Sequence, residues 1–307
     1  MSFDVLQDKI RAMKNPTVVG LDPKLEHIPP QILERQIAQH GETLRAAAEA
    51  VCEFSCGLID ALYDLVPAVK PQAAYYEVLG ACGMEALERT VQYAKSKDLF
   101  VIADVKRGDI GSTAAAYSQA YLDCVTVGGT SFEPFPCDAV TVNAYLGSDG
   151  ILPFLETCKA RDKCFFALVK TSNPSSGELQ DLVAGDRFVY RVVGDLIQRL
   201  GQGTEGRYGF HMAGAVVGAT YPMDLRSLRR RLENVFFLVP GYGTQGGSAD
   251  DVRHAFNQFG HGAIVNSSRG IIAAWQKTGK NGADYQDAAR DAALQMRDDL
   301  RRFITIV

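Results

Sequence analysis

Asp104, Lys106 and Asp109, within residues 100–113 (FVIADVKRGDIGST), are of types and at spacings that could carry electrostatic or acid–base chemistry. Apolar Phe100, Val101, Ile102 and Ala103 read as a short buried parallel strand that ends directly in charge. Side chains alternate along an extended segment, so Asp104 and Lys106 point the same way, and a carboxylate and an ammonium share one end of a sheet. Gly111 and Thr113 then open a helix. A charge run at a strand end is ordinarily just a solvated terminus. Parallel α/β folds, however, keep their active sites at the carboxyl ends of strands, and spacing alone leaves both readings open.

Other apolar runs end the same way. Residues 17–21 (TVVGL) lead into Asp22, Pro23 and Lys24, and residues 68–70 (AVK) end in Lys70 with Pro71 as a stop. Brought together, Asp22, Lys70, Asp104, Lys106 and Asp109 alternate in sign. Two unit charges about 4 Å apart interact by about 4 kcal/mol at an effective dielectric near 20, enough to keep such a set ionised. Lys106 is then a proton donor, not a base or a Schiff-base nucleophile, which would need a depressed pKa and apolar neighbours. The competing explanation is an ion-pair network that merely closes the barrel end.

A glycine-rich stretch, Gly241, Gly243 and Gly246, matches GxGxxG after a strand. The dinucleotide fingerprint needs an acid about 20 residues further on. Here Asn266 and Ser267 stand in that region. A phosphate site fits better: Gly246 and Gly247 permit close backbone approach, and Arg269 offers a bidentate guanidinium. The polar stretch 171–185, with Ser172, Asn173, Pro174 and Gly177, is either a connector or a lid over the barrel mouth.

These residues need a scaffold that collects strand ends. Strands are predicted at 17–21, 68–70, 100–103, 139–142, 164–169, 213–217, 235–239 and 263–265. Leu44, Ala48, Val51, Leu58, Leu62 and Leu65 mark an amphipathic helix within 32–65, interrupted at Gly41. Further helices are expected at 84–97, after Gly111, and at 151–158, 188–200, 223–232 and 249–259, the last with a capping box from Ser248 and Asp251. Eight strand–helix units without a composition break predict a single (β/α)₈ TIM barrel over residues 1–307, with a long first crossover. Asp22, Lys70, Asp104, Lys106, Ser172, Gln245 and Arg269 then share one end of it.

A hydrophobic share of 47% over 307 residues is ample for a large core, and a net charge of −4 argues against nucleic acid or an anionic membrane as the main partner. The N-terminal stretch has no apolar signal core and no apolar run is long enough to span a bilayer, which predicts a cytoplasmic protein. The seven cysteines form no CxxC pair, and Cys52 and Cys56, one helical turn apart, read as a helix face; all are expected as reduced thiols. The histidines at 27, 40, 211, 254 and 261 show no ligand spacing, and none adjoins the charged stretch in sequence. No metal or cofactor is expected.

The pattern D-x-K-x-x-D-I-G-x-T, here Asp104, Lys106, Asp109, Ile110, Gly111 and Thr113, resembles the signature of the orotidine 5'-phosphate decarboxylase family. The likeness extends from Leu21, Asp22 and Pro23 through Lys70 to PGYGTQGG and to Ser268 and Arg269, and so covers nearly the whole barrel. The KTSNPS loop and the long first crossover look like the longer bacterial branch of that family.

The resemblance implies a homodimer that decarboxylates orotidine 5'-phosphate to UMP without metal or cofactor. It implies a catalytic tetrad of Lys70, Asp104, Lys106 and the neighbouring subunit's Asp109, with Lys106 as proton donor and Asp104 facing the substrate carboxylate. Asp22 and Lys70 would hold ribose hydroxyls, Thr113 would cross the dimer interface, and Ser172 would read the pyrimidine. Gln245 would bridge base and phosphate, Arg269 would grip the phosphate, and Pro240 and Ser268 would complete the substrate site. The nearest rival is a magnesium-dependent sugar-phosphate decarboxylase or synthase, whose likeness fails at Lys70, where those relatives place an acid. A non-catalytic sensor of phosphorylated ligands would need Arg269 and the glycine loop but not Lys106.

Overall fold

The computed structural model describes residues 2–243 and 246–307. Helix α1 (Ser2–Met13) precedes strand β1 (Thr17–Leu21). The long first crossover is a pair of helices, α2 (Pro30–His40) and α3 (Leu44–Leu62). They part at Gly41, whose φ of +69° ends α2 in a conformation that side-chain-bearing residues rarely adopt. Thr43 caps α3 by accepting the Ala46 amide.

Strand β2 (Ala68–Pro71) is followed by α4 (Ala74–Glu77) and α5 (Gly80–Ser96), and strand β3 (Phe100–Arg107) by α6 (Gly111–Leu122). A short hairpin, β4 (Val125–Val127) and β5 (Thr130–Phe132), comes before strand β6 (Ala139–Val142) and helix α7 (Leu152–Arg161). Strand β7 (Cys164–Lys170) leads to α8 (Gly177–Gln180), a second hairpin of β8 (Val183–Ala184) and β9 (Arg187–Phe188), and α9 (Val189–Gly201). The chain continues through β10 (Ala213–Val217), α10 (Pro222–Arg231), β11 (Phe237–Val239), α11 (Ala249–Val252), β12 (Ala263–Ser267), α12 (Arg269–Ile272) and α13 (Tyr285–Arg301).

Eight parallel strands close a barrel in the order β1, β12, β11, β10, β7, β6, β3, β2. Its strands are buried almost throughout, as expected for a parallel sheet covered by helices on its outside. This is the (β/α)₈ architecture predicted, with differences at the edges. The predicted helix over 249–259 is a single α turn continued by a 3₁₀ turn to Ala255, although the Ser248–Asp251 capping box is present. Strand β11 starts at Phe237 and β12 runs on to Ser267. The two hairpins and helix α1 were not predicted.

Helix α1 serves as a plug. Phe3 stacks on Phe236 with centroids 4.7 Å apart and meets Phe166 edge-on at 5.1 Å, closing the amino-terminal end of the barrel with aromatic rings. The cavity can therefore open only at the opposite end. All seven cysteines are free thiols. Among the described residues no helix is long and apolar enough to cross a membrane.

Arg229 fixes the turn from α10 into β11. Among the described residues its buried guanidinium makes no ion pair; it donates to the carbonyls of Leu232, Val235, Ala255 and Gly262 and lies 4.1 Å from the Phe237 ring centroid. Burial pulls its pKa down to about 9. Replacing it with Met removes a charged donor from four carbonyls, of which Leu232 and Gly262 keep the amides of Val235 and Phe237, so Arg229→Met is expected to cost about 3 kcal/mol in urea-unfolding stability.

Candidate active site

Because β-strand side chains alternate, each barrel strand sends every second residue inward. At the carboxyl end those positions include Lys70 on β2, Asp104 on β3, Thr141 on β6 and Asn266 on β12, while β7, β10 and β11 contribute Leu168, Val216 and Leu238. The resulting cavity, about 660 Å³, has one charged wall and one apolar wall. Of the residues predicted for the site, Asp22, Lys70, Asp104, Lys106, Ser172, Pro240, Ser268 and Arg269 line it.

Asp104 is the centre of the charged wall. Its Oδ2 accepts from Lys70 Nζ at 2.5 Å and its Oδ1 from Lys106 Nζ at 2.6 Å. Asp104 and Lys70 are buried, whereas the Lys106 side chain is half-exposed to the cavity. Burial alone would raise the Asp104 pKa, but the two ammoniums outweigh it and hold the carboxyl well below the usual carboxylate range. Burial likewise favours neutral Lys70, yet the charges of Asp104 and Asp22 win and its pKa rises. This pair therefore stays ionised from mildly acidic to alkaline pH.

The alternation that predicts Asp104 beside Lys106 holds, but not through a regular strand. β3 and β6 pair at Ile102 with Ala139 and Ala103 with Val140, and then shift register before Arg107 meets Val142. Within that irregularity Lys106 has φ +46°, in the left-handed region that non-glycine residues seldom occupy. Local strain of this kind concentrates at sites where geometry is imposed by the surroundings.

Asp22 follows β1, and its buried Oδ1 has no hydrogen-bond partner among the described residues; the same is true of Asn266 Oδ1. Both are acceptors that a bound polar ligand could satisfy. Just past the end of β12, which neighbours β1 in the barrel, Arg269 is exposed and makes no ion pair among the described residues, so its guanidinium is free for an anion. Ser268 approaches β1 closely: a Cβ on Gly20 would fall 1.9 Å from its hydroxyl oxygen, so any larger residue there displaces the Ser268 side chain. In the neighbouring loop Gly246 has φ +101°. Gln245 lies outside the described residues. The glycine loop leads to a helix of a single turn, α11, not to the long helix of a dinucleotide-binding unit.

The 171–185 segment is folded, not a bare connector. The Thr171 amide donates to Gln180 Oε1 at 2.9 Å, and Gln180 Nε2 returns a bond to Thr171 Oγ1 at 2.7 Å. Lys170, fully buried, pairs with Asp181 and lies 4.4 Å from the Tyr221 ring centroid. Thr171, Ser172, Asn173 and Gln180 reach the cavity.

Asp109 and Thr113 do not line this cavity; Asp109 is partly exposed and Thr113 exposed on α6. Beside them at the barrel mouth Ile110, Leu146 and Tyr145 expose apolar side chains, Tyr145 to 76%. Sequence reasoning missed Thr141, Asn266 as a lining residue, and His27, which the turn after β1 brings to the cavity although it lies far in sequence from the charged stretch at 104–109.

The comparisons with known proteins agree with this geometry. The sequence model of the "Orotidine 5'-phosphate decarboxylase / HUMPS family" matches residues 18–280. The chain is 44% identical over 289 residues to the orotidine 5'-phosphate decarboxylase of Rhodopirellula baltica, covering 93% of this chain and 94% of that one. It is 40% identical over 302 residues to the enzyme of the same name from Caldicellulosiruptor bescii, covering 98% of each. Among solved structures, Leishmania donovani OMP decarboxylase superposes with a TM-score of 0.71 at 31% identity, covering 98% of this chain and 99% of that one. A carboxylate clamped between two lysines at the mouth of an eight-stranded barrel is thus found in a chain that belongs to the orotidine 5'-phosphate decarboxylase / HUMPS family.

Proposed function

We propose that the protein acts as one barrel domain over residues 1–307 and decarboxylates orotidine 5'-phosphate to UMP in pyrimidine biosynthesis, in the cytoplasm, without a metal or cofactor. The observation that carries this reading is the Lys70–Asp104–Lys106 clamp, 2.5 and 2.6 Å across its two contacts, in a cavity also lined by Arg269, which makes no ion pair among the described residues. The C6–carboxylate bond of the pyrimidine breaks, CO₂ leaves, and the electron pair stays on C6 in an sp² orbital that the ring cannot delocalise. The Lys106 ammonium stabilises that charge from a fixed position and then gives its proton to C6, forming UMP; it is reprotonated from solvent.

Asp104 keeps the ammonium in place and faces the substrate carboxylate. Asp22 Oδ1, buried and without a hydrogen-bond partner among the described residues, and Lys70 take the ribose hydroxyls. Ser172 reads the base, with Leu168, Val216 and Leu238 against its ring. Gln245 reaches between base and phosphate. Arg269, with Ser268, Pro240 and the glycine loop, grips the phosphate, and that remote binding energy is spent on orienting the reacting carbon. A magnesium-dependent sugar-phosphate enzyme of the same suprafamily is the weaker reading, because its metal site needs an acid at the end of β2, where this chain has buried Lys70.

A homodimer with shared sites completes the reading. Asp109 and Thr113 lie outside their own chain's cavity, next to exposed Ile110, Leu146 and Tyr145, so they serve the site of a second copy.

The deciding assay follows loss of orotidine 5'-phosphate absorbance with excess chelator present. Turnover is expected; no turnover, or turnover only after magnesium is added, overturns the assignment. Lys106→Ala is expected to lower kcat by at least about 10³-fold while UMP binding stays measurable by calorimetry; an active variant removes the proposed proton donor. Mixing Lys106→Ala with Asp109→Ala, each inactive, is expected to restore part of the activity through hybrid dimers with one intact site. Proven subunit exchange without any recovery argues against a shared site.

A further inference from the structure

Thr141 is buried on β6 with 1% exposure, and its hydroxyl is fully occupied. Oγ1 accepts the amide of Val105 at 3.0 Å and the amide of Lys106 at 2.9 Å, and donates its own hydrogen to Asp104 Oδ1 at 3.0 Å. A hydroxyl has one hydrogen and two lone pairs, so all of its capacity is used.

These amides need such a partner. The backbone ladder between β3 and β6 breaks after Ala103 and resumes at Arg107, and in the gap a side-chain oxygen stands where a strand carbonyl would accept. The same gap contains the φ +46° of Lys106. That conformation lasts only while something outside the residue holds it. The oxygen of Asp104 that takes the Thr141 hydrogen is also the one that accepts Lys106 Nζ, at 2.6 Å. One hydroxyl therefore anchors both ends of the lysine: its backbone directly, and its ammonium through the carboxylate.

We propose that Thr141 is a positioning residue whose hydroxyl sets the direction in which Lys106 presents its ammonium to the cavity. The inference rests on the decarboxylase reading, in which that ammonium is the proton donor. Its effect is preorganisation: without the hydroxyl, Lys106 relaxes toward an ordinary strand conformation, Asp104 can rotate, and the ammonium spends less time where negative charge develops. Phosphate and ribose contacts, made by Arg269 and Asp22 away from β6, are untouched.

The test compares Thr141→Val, which keeps the shape and loses the oxygen, with Thr141→Ser, which keeps the oxygen and loses the methyl. Thr141→Val is expected to lower kcat by about 10²-fold with the UMP dissociation constant within about threefold of wild type, and Thr141→Ser to keep kcat within about fivefold. The role is overturned if Thr141→Val keeps wild-type kcat, if Thr141→Ser falls as far as Thr141→Val, or if UMP affinity drops in proportion to kcat. If Thr141→Val does not fold, Thr141→Cys replaces it: its sulfur is a poor acceptor of near-serine shape, and it must lose kcat where Thr141→Ser does not. A wild-type protein that does not turn over orotidine 5'-phosphate fails the functional reading itself, whereas equal activity of wild type and Thr141→Val fails only the positioning role.

Discussion

A carboxylate removed from water must be compensated, and in this barrel the Asp104 carboxylate is compensated from both sides, by Lys70 on β2 and by Lys106 on its own strand. Each lysine cancels a cost that the other alone would leave partly unmet. The three charges are therefore interdependent, and so is the scaffold around them. Lys70 must end β2 inside the wall, β3 must carry its last residues out of the regular ladder, and β6 must supply a side chain to cover the amides left behind. An electrostatic site of this kind does its work before a substrate arrives, because its dipoles and charges need not reorganise during the reaction.

The cavity distributes its chemistry by strand. Strands β2, β3, β6 and β12 place polar or charged side chains at the mouth, and β7, β10 and β11 place Leu168, Val216 and Leu238 there. Such a pocket suits a flat ring with one polar edge and two apolar faces. Pro240 past β11 and Arg269 past β12 bring further lining residues to the same rim as the clamp. The plug of Phe3, Phe166 and Phe236 packs the other end with aromatic rings, an apolar layer beneath the charges in which charge interactions are less screened than in water.

The barrel was legible in the chain because its buried strands are short apolar runs, four of which stop in charge at Asp22, Lys70, Asp104 and Lys170, and because Ala48, Val51, Leu58 and Leu62 recur at helical spacing on the packed face of α3, although Leu44, expected with them, is exposed. The hairpins 125–132 and 183–188 were not legible, since strands of two or three exposed residues carry no periodicity. Helix α1 was passed over because its importance lies in where Phe3 ends up, at the far end of a barrel closed by residues more than 160 positions away.

Residue types and local order alone determined the strand–helix alternation and the gathering of Asp22, Lys70, Asp104, Ser172 and Arg269 at one rim, because strand direction follows from the chain itself, whereas the expected pairing of Asp104 with Lys106 is made through a stretch where the regular ladder breaks. Tertiary structure decided the rest. A threonine in a buried strand looks like any other strand residue until the neighbouring strand shifts register and leaves amides for it to bind, and a histidine six residues past β1 joins the site only when the turn folds back. Hydrogen bonds between strands and the path of a turn depend on contacts between residues far apart in sequence, and no local pattern encodes them.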